Sequence, residues 1–404
     1  MLRRVDVIRL SGLALLALGL LAVHSAGLDV LSRAGSGQAV GGETSRWLGM
    51  FASKHTGLAS ASAVVLLAAS RVDAGAWLSR RGWGNPVTYL LPLAVGLCAL
   101  VLLPGFGVEV NGAKRWLAIP GLGLNFQPSE VMKWTLIAAV AAWCGKRADR
   151  MHRFGGGLLP AGLLIAVGCG LIIKEDLGTA ALLGGVAVAV LVAGGARLTH
   201  LAPFVLGGLA AAAAAVMTSE YRLRRLTAFL DPWADPAGSG YHPIQSMLSF
   251  AQGGVTGVGL GQSVQKYHVP EETTDFILPV ISEELGFAGV ALIVGLYLVL
   301  LWSGLGVMRR RRDAVGRLLA LGIVLMIAVQ ASVNVAVVTV VVPTKGIALP
   351  LVSAGGTGWL LTAAAVGVLA GMARREAESA DEIEPTGGGA PIPGRSPLGE
   401  PSRR

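Results

Sequence analysis

Charged side chains that could bind or transform a ligand are confined to a few short stretches of an otherwise strongly apolar chain. Asp275 stands directly before an apolar run, and Glu283 and Glu284 lie just inside that run. A charge at the centre of a membrane helix costs ~2.5–3.5 kcal/mol on insertion scales, so each of these carboxylates needs a reason. Asp275 is the acid best held in place for chemistry, because a rigid segment follows it at once.

Basic residues near the same predicted membrane face indicate a site for an anion. Lys114 and Arg115 precede Trp116, and Lys345 lies between two prolines at the mouth of two apolar segments. This combination fits the binding of an anionic head group. For Lys114 and Arg115, an interfacial anchor in which the tryptophan sits at the membrane surface is the alternative.

Five further polar residues favour structural roles. Glu130 and Lys133 are spaced i, i+3 and are expected to pair on one helix face. Asp176 precedes Leu-Gly at the start of an apolar segment and is expected to cap that helix. Gln330 and Asn334 are spaced i, i+4 within another apolar segment, where hydrogen bonding between helices is the favoured role.

The composition predicts an all-α integral membrane protein. Of 404 residues, 53% are hydrophobic and 14% charged, and the mean hydropathy is +0.64. A membrane helix needs about 20 apolar residues. Ten segments approach this length: 8–27, 48–70, 84–104, 126–144, 157–173, 176–195, 199–217, 277–307, 318–342 and 349–372. We expect a membrane domain over residues 1–375, with a large loop at 218–276, and a disordered tail over 376–404.

The distribution of basic residues predicts the orientation. Clusters of Arg and Lys occur near residues 3–4, 80–81, 146–153, 197, 309–317 and 374–375, at alternate ends of the segments. By the positive-inside rule these ends, and both termini, are cytoplasmic, so the 218–276 loop is outside. The net charge of +9 is mostly this topological signal and does not indicate nucleic-acid binding. The three cysteines have no disulfide or metal-ligand spacing.

Six ordered motifs resemble those of one family. They read NGAKRWL with FQPSEVMK, then DLGTA, RLTAFLDPWADP, GVGLGQSVQK, DFILPVISEELGF and PTKGIALPLVSAGG. Together they span about residues 10–375 and resemble the SEDS family (shape, elongation, division and sporulation). GVGLGQSVQK is closer to the FtsW branch than to the RodA branch. The resemblance implies ten helices and a glycosyltransferase that polymerises lipid II at the outer face of the bacterial cytoplasmic membrane.

The resemblance also implies roles for individual residues. Asp275 matches the family's essential aspartate and would be the general base. Undecaprenyl pyrophosphate would be the leaving group, and we expect Lys114, Arg115 and Lys345 to stabilise its charge. No metal-binding acid cluster is evident in the sequence, and assistance by a divalent cation is left open.

Glu283 and Glu284 are adjacent in sequence, so they would face different directions. We expect them to pair with cations of other helices, with Lys133 as one candidate partner.

The implied partners are a class B penicillin-binding protein and other membrane proteins of division or elongation. The chain departs from the family pattern at Thr273, Lys174, Glu175 and Ala354. These departures concern the positioning of substrate more than the reaction. Two other functions stay open at this point: a flippase that transports lipid II, and a scaffold without enzymatic activity.

Overall fold

The computed structural model describes residues 3–34, 53–110, 113–119, 124–264 and 274–383. Thirteen α-helices lie in these described parts of the chain. They are α1 (Arg4–Ala34), α2 (Lys54–Ala69), α3 (Ala74–Ser79), α4 (Val87–Leu102), α5 (Pro128–Lys146), α6 (Leu159–Ile173), α7 (Leu177–Ala193), α8 (Leu198–Met217), α9 (Glu220–Leu230), α10 (Tyr241–Gly253), α11 (Ile277–Arg310), α12 (Ala314–Val338) and α13 (Thr357–Ile383).

The predicted helical membrane architecture is confirmed. Each of the ten predicted segments overlaps one of these helices. Six helical stretches are long and apolar enough to cross a bilayer, in α1, α6, α8, α11, α12 and α13. Two more apolar helices, α4 and α7, are shorter. The total of ten spans stays a prediction.

The last helix differs from its prediction at both ends. It starts at Thr357 instead of residue 349, because Pro350 and the positive φ of Leu351 keep the preceding backbone out of a helix. At the other end it continues to Ile383, beyond the predicted end of the span at residue 372, so residues 376–383 are helical and their predicted disorder is wrong. There Glu376 lies 3.7 Å from Arg310 in an ion pair. Residues 384–404 of the predicted tail lie outside the described residues.

A small β-sheet interrupts the helices and was not predicted. Strands β1 (Gly107–Val110), β2 (Ala113–Ile119) and β3 (Leu124–Phe126) form an antiparallel sheet in the order β1-β2-β3. Lys114 and Arg115 are consecutive in β2. Successive side chains of a strand point to opposite faces, so these two cations cannot both face the same site.

Helix α11 is broken near its start by Gly286, which has φ 68° and ψ −166°. The loop before it closes the break: the Val258 N–H donates to the Glu283 carbonyl at 2.9 Å, and the Phe287 N–H donates to the Gly254 carbonyl at 2.9 Å. Non-helical backbone at membrane depth is tolerated where protein groups satisfy it. The first turns of α11 therefore form a short half-helix.

The loop predicted at 218–276 contains two helices, and its 265–273 part, which includes Thr273, lies outside the described residues. The stretch YHPIQSMLSFAQ within this loop forms α10. Two contacts fix α10, one to the end of α12 and one to the residue just before the half-helix. Ser246 Oγ donates to the Val338 carbonyl at 2.5 Å, and the His242 ring stacks on Phe276 with centroids 5.3 Å apart.

The break in α11 generates a stability prediction. A β-carbon on Gly286 would lie 2.4 Å from the Gly257 nitrogen, and the positive φ disfavours any L side chain. We expect Gly286→Ala to lower the free energy of unfolding by ~1–3 kcal/mol from backbone strain, and by more where the β-carbon clashes. Thermal unfolding of the purified protein in detergent measures this change.

Gly295→Ala is the matched control in the same helix. A β-carbon there would meet no atom within 4 Å, and Ala is the better helix former. This variant should be as stable as wild type or slightly more so. Equal unfolding temperatures for the two variants would contradict the packing of the loop against the break.

Candidate active site

A cleft of about 730 Å³ gathers most of the polar residues that the sequence singled out. Its walls come from β2, the turn between α6 and α7, α9, the start of α11 and the 343–350 segment. The predicted site residues that line it are Arg115, Glu130, Lys133, Asp176, Asp275, Gln330 and Lys345.

Asp275 is held against the 343–350 segment by Asn334. The Asn334 Nδ2 group donates to the Asp275 carbonyl at 2.9 Å and to the Ile347 carbonyl at 2.7 Å. A β-carbon added to Gly346 would lie 2.6 Å from Asp275 Oδ2, so the carboxylate lies directly against that glycine. One buried amide therefore fixes the acid relative to the segment that carries Lys345.

Gln330 fixes the same segment from one turn earlier in α12. Its Nε2 donates to the Ala348 carbonyl at 2.8 Å. Gln330 and Asn334 were expected to join helices; in the structure both bind the backbone of the 343–350 segment, and Gln330 also accepts from Lys133 in α5. Val340 and Leu351, at φ 57° and 63°, flank the segment in a conformation that costs L-residues energy.

Glu130 and Lys133 form the predicted pair on the floor of the cleft. Lys133 Nζ lies 2.7 Å and 2.9 Å from the two Glu130 carboxylate oxygens and 3.0 Å from Gln330 Oε1. Lys133 is 1% exposed, so these neighbours take the place of water around its ammonium group. The suggestion that Lys133 partners Glu283 or Glu284 is wrong.

Lys345 extends over the first turn of α7. A β-carbon on Gly178 would lie 3.2 Å from Lys345 Cδ. Asp176 caps this helix as predicted, accepting from the Thr179 N–H at 3.0 Å and hydroxyl at 2.7 Å. Burial lowers the pKa of Lys345; the Asp176 carboxylate opposes this effect, and the nearby Arg222 adds to it.

The two consecutive cations of β2 are separated. Arg115 lines the cleft, and its Nε donates to the Glu175 carbonyl at 2.7 Å. Lys114 is exposed and does not line the cleft; its backbone N–H donates to Glu175 Oε2 at 2.8 Å. Glu175, one of the positions that departs from the family pattern, thus attaches the sheet to the α6–α7 turn.

Two cleft residues were missed in the sequence. Arg222 and Arg225 of α9 both line the cleft. Their i, i+3 spacing puts them on one helix face, a signal that was available in YRLRRL. The sequence could not show which way that face points, because this depends on how α9 folds back over the turn at Lys174.

Glu283 and Glu284 lie outside the cleft and are fully buried. Glu283 accepts from the Ser263 hydroxyl at 2.6 Å and the Val264 N–H at 2.8 Å. Glu284 accepts from the Ser25 hydroxyl at 2.6 Å. These acids therefore hold the 254–264 loop against α1 and α11.

Within the described residues, no group of three or more His, Cys, Asp or Glu side chains could hold a metal ion.

Comparison with known proteins identifies the family. The model of the FtsW, RodA and SpoVE cell cycle proteins matches residues 10–378. The chain belongs to this family. A probable peptidoglycan glycosyltransferase FtsW of Geobacter metallireducens is 40% identical over 315 residues, 77% of this chain and 81% of that protein. The stage V sporulation protein E of Bacillus subtilis is 37% identical over 326 residues, 80% of this chain and 87% of that protein.

Solved structures share the fold of this FtsW/RodA/SpoVE protein. A chain from a peptidoglycan synthase complex, described as coordinating polymerization and crosslinking, superposes with a TM-score of 0.69 at 24% identity, over 91% of this chain and 97% of the other. The rod shape determining protein RodA of Thermus thermophilus gives a TM-score of 0.55 at 24% identity, over 91% and 96%.

The amide of Asn334 generates a prediction for this family member. Asn334→Ala removes the amide donor from two backbone carbonyls, that of Ile347 buried and that of Asp275 part-buried, so we expect the free energy of unfolding to fall by ~1–3 kcal/mol. Ser332→Ala, an exposed change in the same helix, should have little effect. Thermal unfolding in detergent compares the two. A stable Asn334→Ala variant would show that other contacts hold the segment.

Proposed function

We propose that the cleft polymerises lipid II into glycan strands, with Asp275 as the general base. The protein is a peptidoglycan glycosyltransferase of the FtsW type and a multi-pass protein of the bacterial cytoplasmic membrane. One observation supports the role of the cleft most strongly. It joins a carboxylate fixed to a rigid half-helix with cations from separate elements in a single cavity.

In the proposed reaction, Asp275 takes the proton of the acceptor 4-hydroxyl on N-acetylglucosamine. The resulting oxygen nucleophile attacks C1 of the donor N-acetylmuramic acid. The bond from C1 to the diphosphate oxygen breaks, and undecaprenyl diphosphate leaves with the electron pair. A base held at a fixed distance from its substrate is effective because orientation is established before the reaction.

The cleft cations stabilise the charge that develops on the leaving diphosphate. Arg115 and Lys345 reach it from different elements. Preorganised cations in a site with little water stabilise developing charge more than they would in bulk solvent. Lys114 is exposed outside the cleft. Its backbone N–H donates to Glu175 and so attaches the sheet to the α6–α7 turn.

A class B penicillin-binding protein is the proposed partner, because the structural neighbour with the higher TM-score comes from a synthase complex that couples polymerization to crosslinking. Other division proteins of the membrane would join the same assembly. Both termini are proposed to be cytoplasmic, since basic residues cluster at those ends. This orientation places the cleft at the outer face.

Replacing Asp275 tests the proposed base. Asp275→Asn keeps the shape of the side chain and the backbone contact to Asn334 but cannot take a proton. We expect lipid II polymerisation to fall by ~10²–10⁴-fold, measured as glycan strands in the presence of a crosslinking-inactive partner.

Asp231→Asn is the control, because Asn can still accept the hydrogen bond that Asp231 receives from the Trp233 N–H. Equal polymerisation by Asp275→Asn and wild type would remove Asp275 from the mechanism. A well-folded wild type that moves lipid II across vesicles without polymerising it would favour a flippase. Partner recruitment with neither activity would favour a scaffold.

The lowered pKa of Lys345 predicts a pH dependence. The ammonium form exists below the pKa, so burial makes Lys345 lose its charge at lower pH than an ordinary lysine with pKa 10.5. We expect KM for lipid II in the wild type to rise as the pH is raised toward 10.5, the ordinary lysine pKa. Lys345→Arg should move this rise to higher pH, whereas Lys114→Arg should not. A KM that is flat over this range would exclude Lys345 from substrate binding.

A further inference from the structure

Positive charge also collects at the end of α5 that lies away from the cleft. Glu130 and Lys133 are in the first turns of α5, whereas Lys146 is its last residue. At a rise of about 1.5 Å per residue, Lys146 lies about 24 Å along the helix axis from Glu130. This distance approaches the thickness of the hydrocarbon core of a bilayer, about 30 Å. The two groups of charges therefore lie near opposite membrane faces, and Lys146 does not line the cleft.

Four cations from two parts of the chain meet at this end of α5. Lys146 and Arg147 lie at the end of the helix, and Arg80 and Arg81 follow α3. Lys146 Nζ donates to the Arg80 carbonyl at 2.5 Å, which joins the two parts. Burial lowers the pKa of Lys146, and the charges of Arg147 and Arg81 lower it further, so these charges are close enough to repel one another. We call Arg80, Arg81, Lys146 and Arg147 the basic cluster.

The turn that carries Arg80 and Arg81 is held in place by the buried side chain of Asn85. Asn85 Nδ2 donates to the Leu78 carbonyl at 3.1 Å, and Asn85 Oδ1 accepts from the Val87 N–H at 3.0 Å. Leu78 belongs to α3 and Val87 begins α4. The backbone of the turn is therefore tied to the helices on both sides of it.

None of the four cations forms an ion pair with an acid within the described residues. The acids nearest to them in sequence pair with other arginines. Asp149 pairs with Arg150 at 3.7 Å, and Asp73 pairs with Arg311 at 3.1 Å. Because like charges held together repel one another, the basic cluster favours the binding of an anion.

Aromatic side chains beside the basic cluster indicate that the anion belongs to a membrane lipid. Trp77 and Trp83 are exposed by 47% and 79%. The Arg80 guanidinium lies 5.9 Å from the centroid of the Trp77 ring, and the Arg147 guanidinium lies 3.5 Å from that of Trp143. Tryptophan is enriched where membrane helices meet the lipid head groups. Guanidinium groups beside such rings lie at the depth of the lipid phosphates.

We propose that the basic cluster binds the head group of an anionic phospholipid at the membrane face opposite the cleft. The phosphate of such a lipid accepts two hydrogen bonds at once from a planar guanidinium, and the Lys146 ammonium adds a point charge. Stacking on Trp143 uses the face of the Arg147 guanidinium and leaves the N–H donors at its edge to the phosphate. In phosphatidylcholine the choline of the same head group neutralises the phosphate, so a lipid with net negative charge gains more from the cluster.

Titration of phosphatidylglycerol into the full-length protein in a neutral detergent, followed by native mass spectrometry, tests this site. The wild type should bind its first phosphatidylglycerol more tightly than phosphatidylcholine. We expect Arg81→Gln/Arg147→Gln to weaken the binding of phosphatidylglycerol about 10- to 30-fold, because each basic residue near a membrane surface attracts anionic lipid. The affinity for phosphatidylcholine should not change.

Arg150→Gln/Arg153→Gln is the matched control, because it removes the same charge from the exposed stretch that follows α5. This variant should bind phosphatidylglycerol like the wild type. A second variant, Arg81→Lys/Arg147→Lys, keeps the charge of the cluster and should bind phosphatidylglycerol more tightly than the glutamine variant of the same positions. The comparison separates loss of charge from loss of fold.

Four results would overturn the lipid site. Equal losses in the two glutamine variants would show a general attraction of this face for anions, and unchanged binding in Arg81→Gln/Arg147→Gln would show that the cluster takes no part. Equal weakening by lysine and by glutamine would show that charge is not what the lipid recognises. If inorganic phosphate displaces phosphatidylglycerol more than chloride does at the same ionic strength, the cluster takes a free anion instead of a lipid. Lipid II is absent from these measurements, so their outcome is independent of polymerisation.

Discussion

The geometry of the cleft depends on the two hydrogen bonds donated by one buried amide. Asn334 Nδ2 binds carbonyls of Asp275 and Ile347, which are 59 residues earlier and 13 residues later in the chain. Both carbonyls are backbone groups, so this contact fixes the backbone independently of the side chains to which the chemistry is assigned in the proposed function. An error of about 1 Å in placing a catalytic group can cost ~10²-fold in rate. A buried amide with both donors in use holds the two backbone segments in place. Gln330, one turn earlier in α12, donates to the Ala348 carbonyl of the same 343–350 segment.

The charges of the cleft divide into a neutral floor and a positive rim. Lys133 is compensated by Glu130 on the floor. At the rim, the Asp176 carboxylate accepts from Thr179, which leaves Lys345 only partly compensated beside the arginines of α9. In low-dielectric surroundings an uncompensated cation is unfavourable. An anion bound at the rim would therefore stabilise it, whereas the floor is compensated without one.

The sequence predicted features that depend on local spacing and missed those that depend on packing. The pair of Glu130 and Lys133 and the cap at Asp176 follow from positions within a single helix, and both are confirmed. The sheet was missed because short strands beside apolar helices leave little periodic signal. Successive side chains of β2 point to opposite faces of the sheet, so Lys114 and Arg115 are separated. The prediction had assigned both to one site because they are adjacent in sequence. That Arg222 and Arg225 line the cleft depends on how α9 packs, which no local pattern contains.

The structural role of the buried acids Glu283 and Glu284 follows from the break in α11. Ending a half-helix at Gly286 leaves carbonyls at its C-terminal end without intrahelical donors, and the 254–264 loop supplies N–H groups to them. Glu283 and Glu284 then bind that loop and α1 through hydroxyl and amide donors. The half-helix is thus fixed at its far end by the loop and at its near end by Asn334. Because Asp275 lies at the near end, a change that loosens the loop reaches the cleft through the half-helix, although the 254–264 loop itself does not line the cleft.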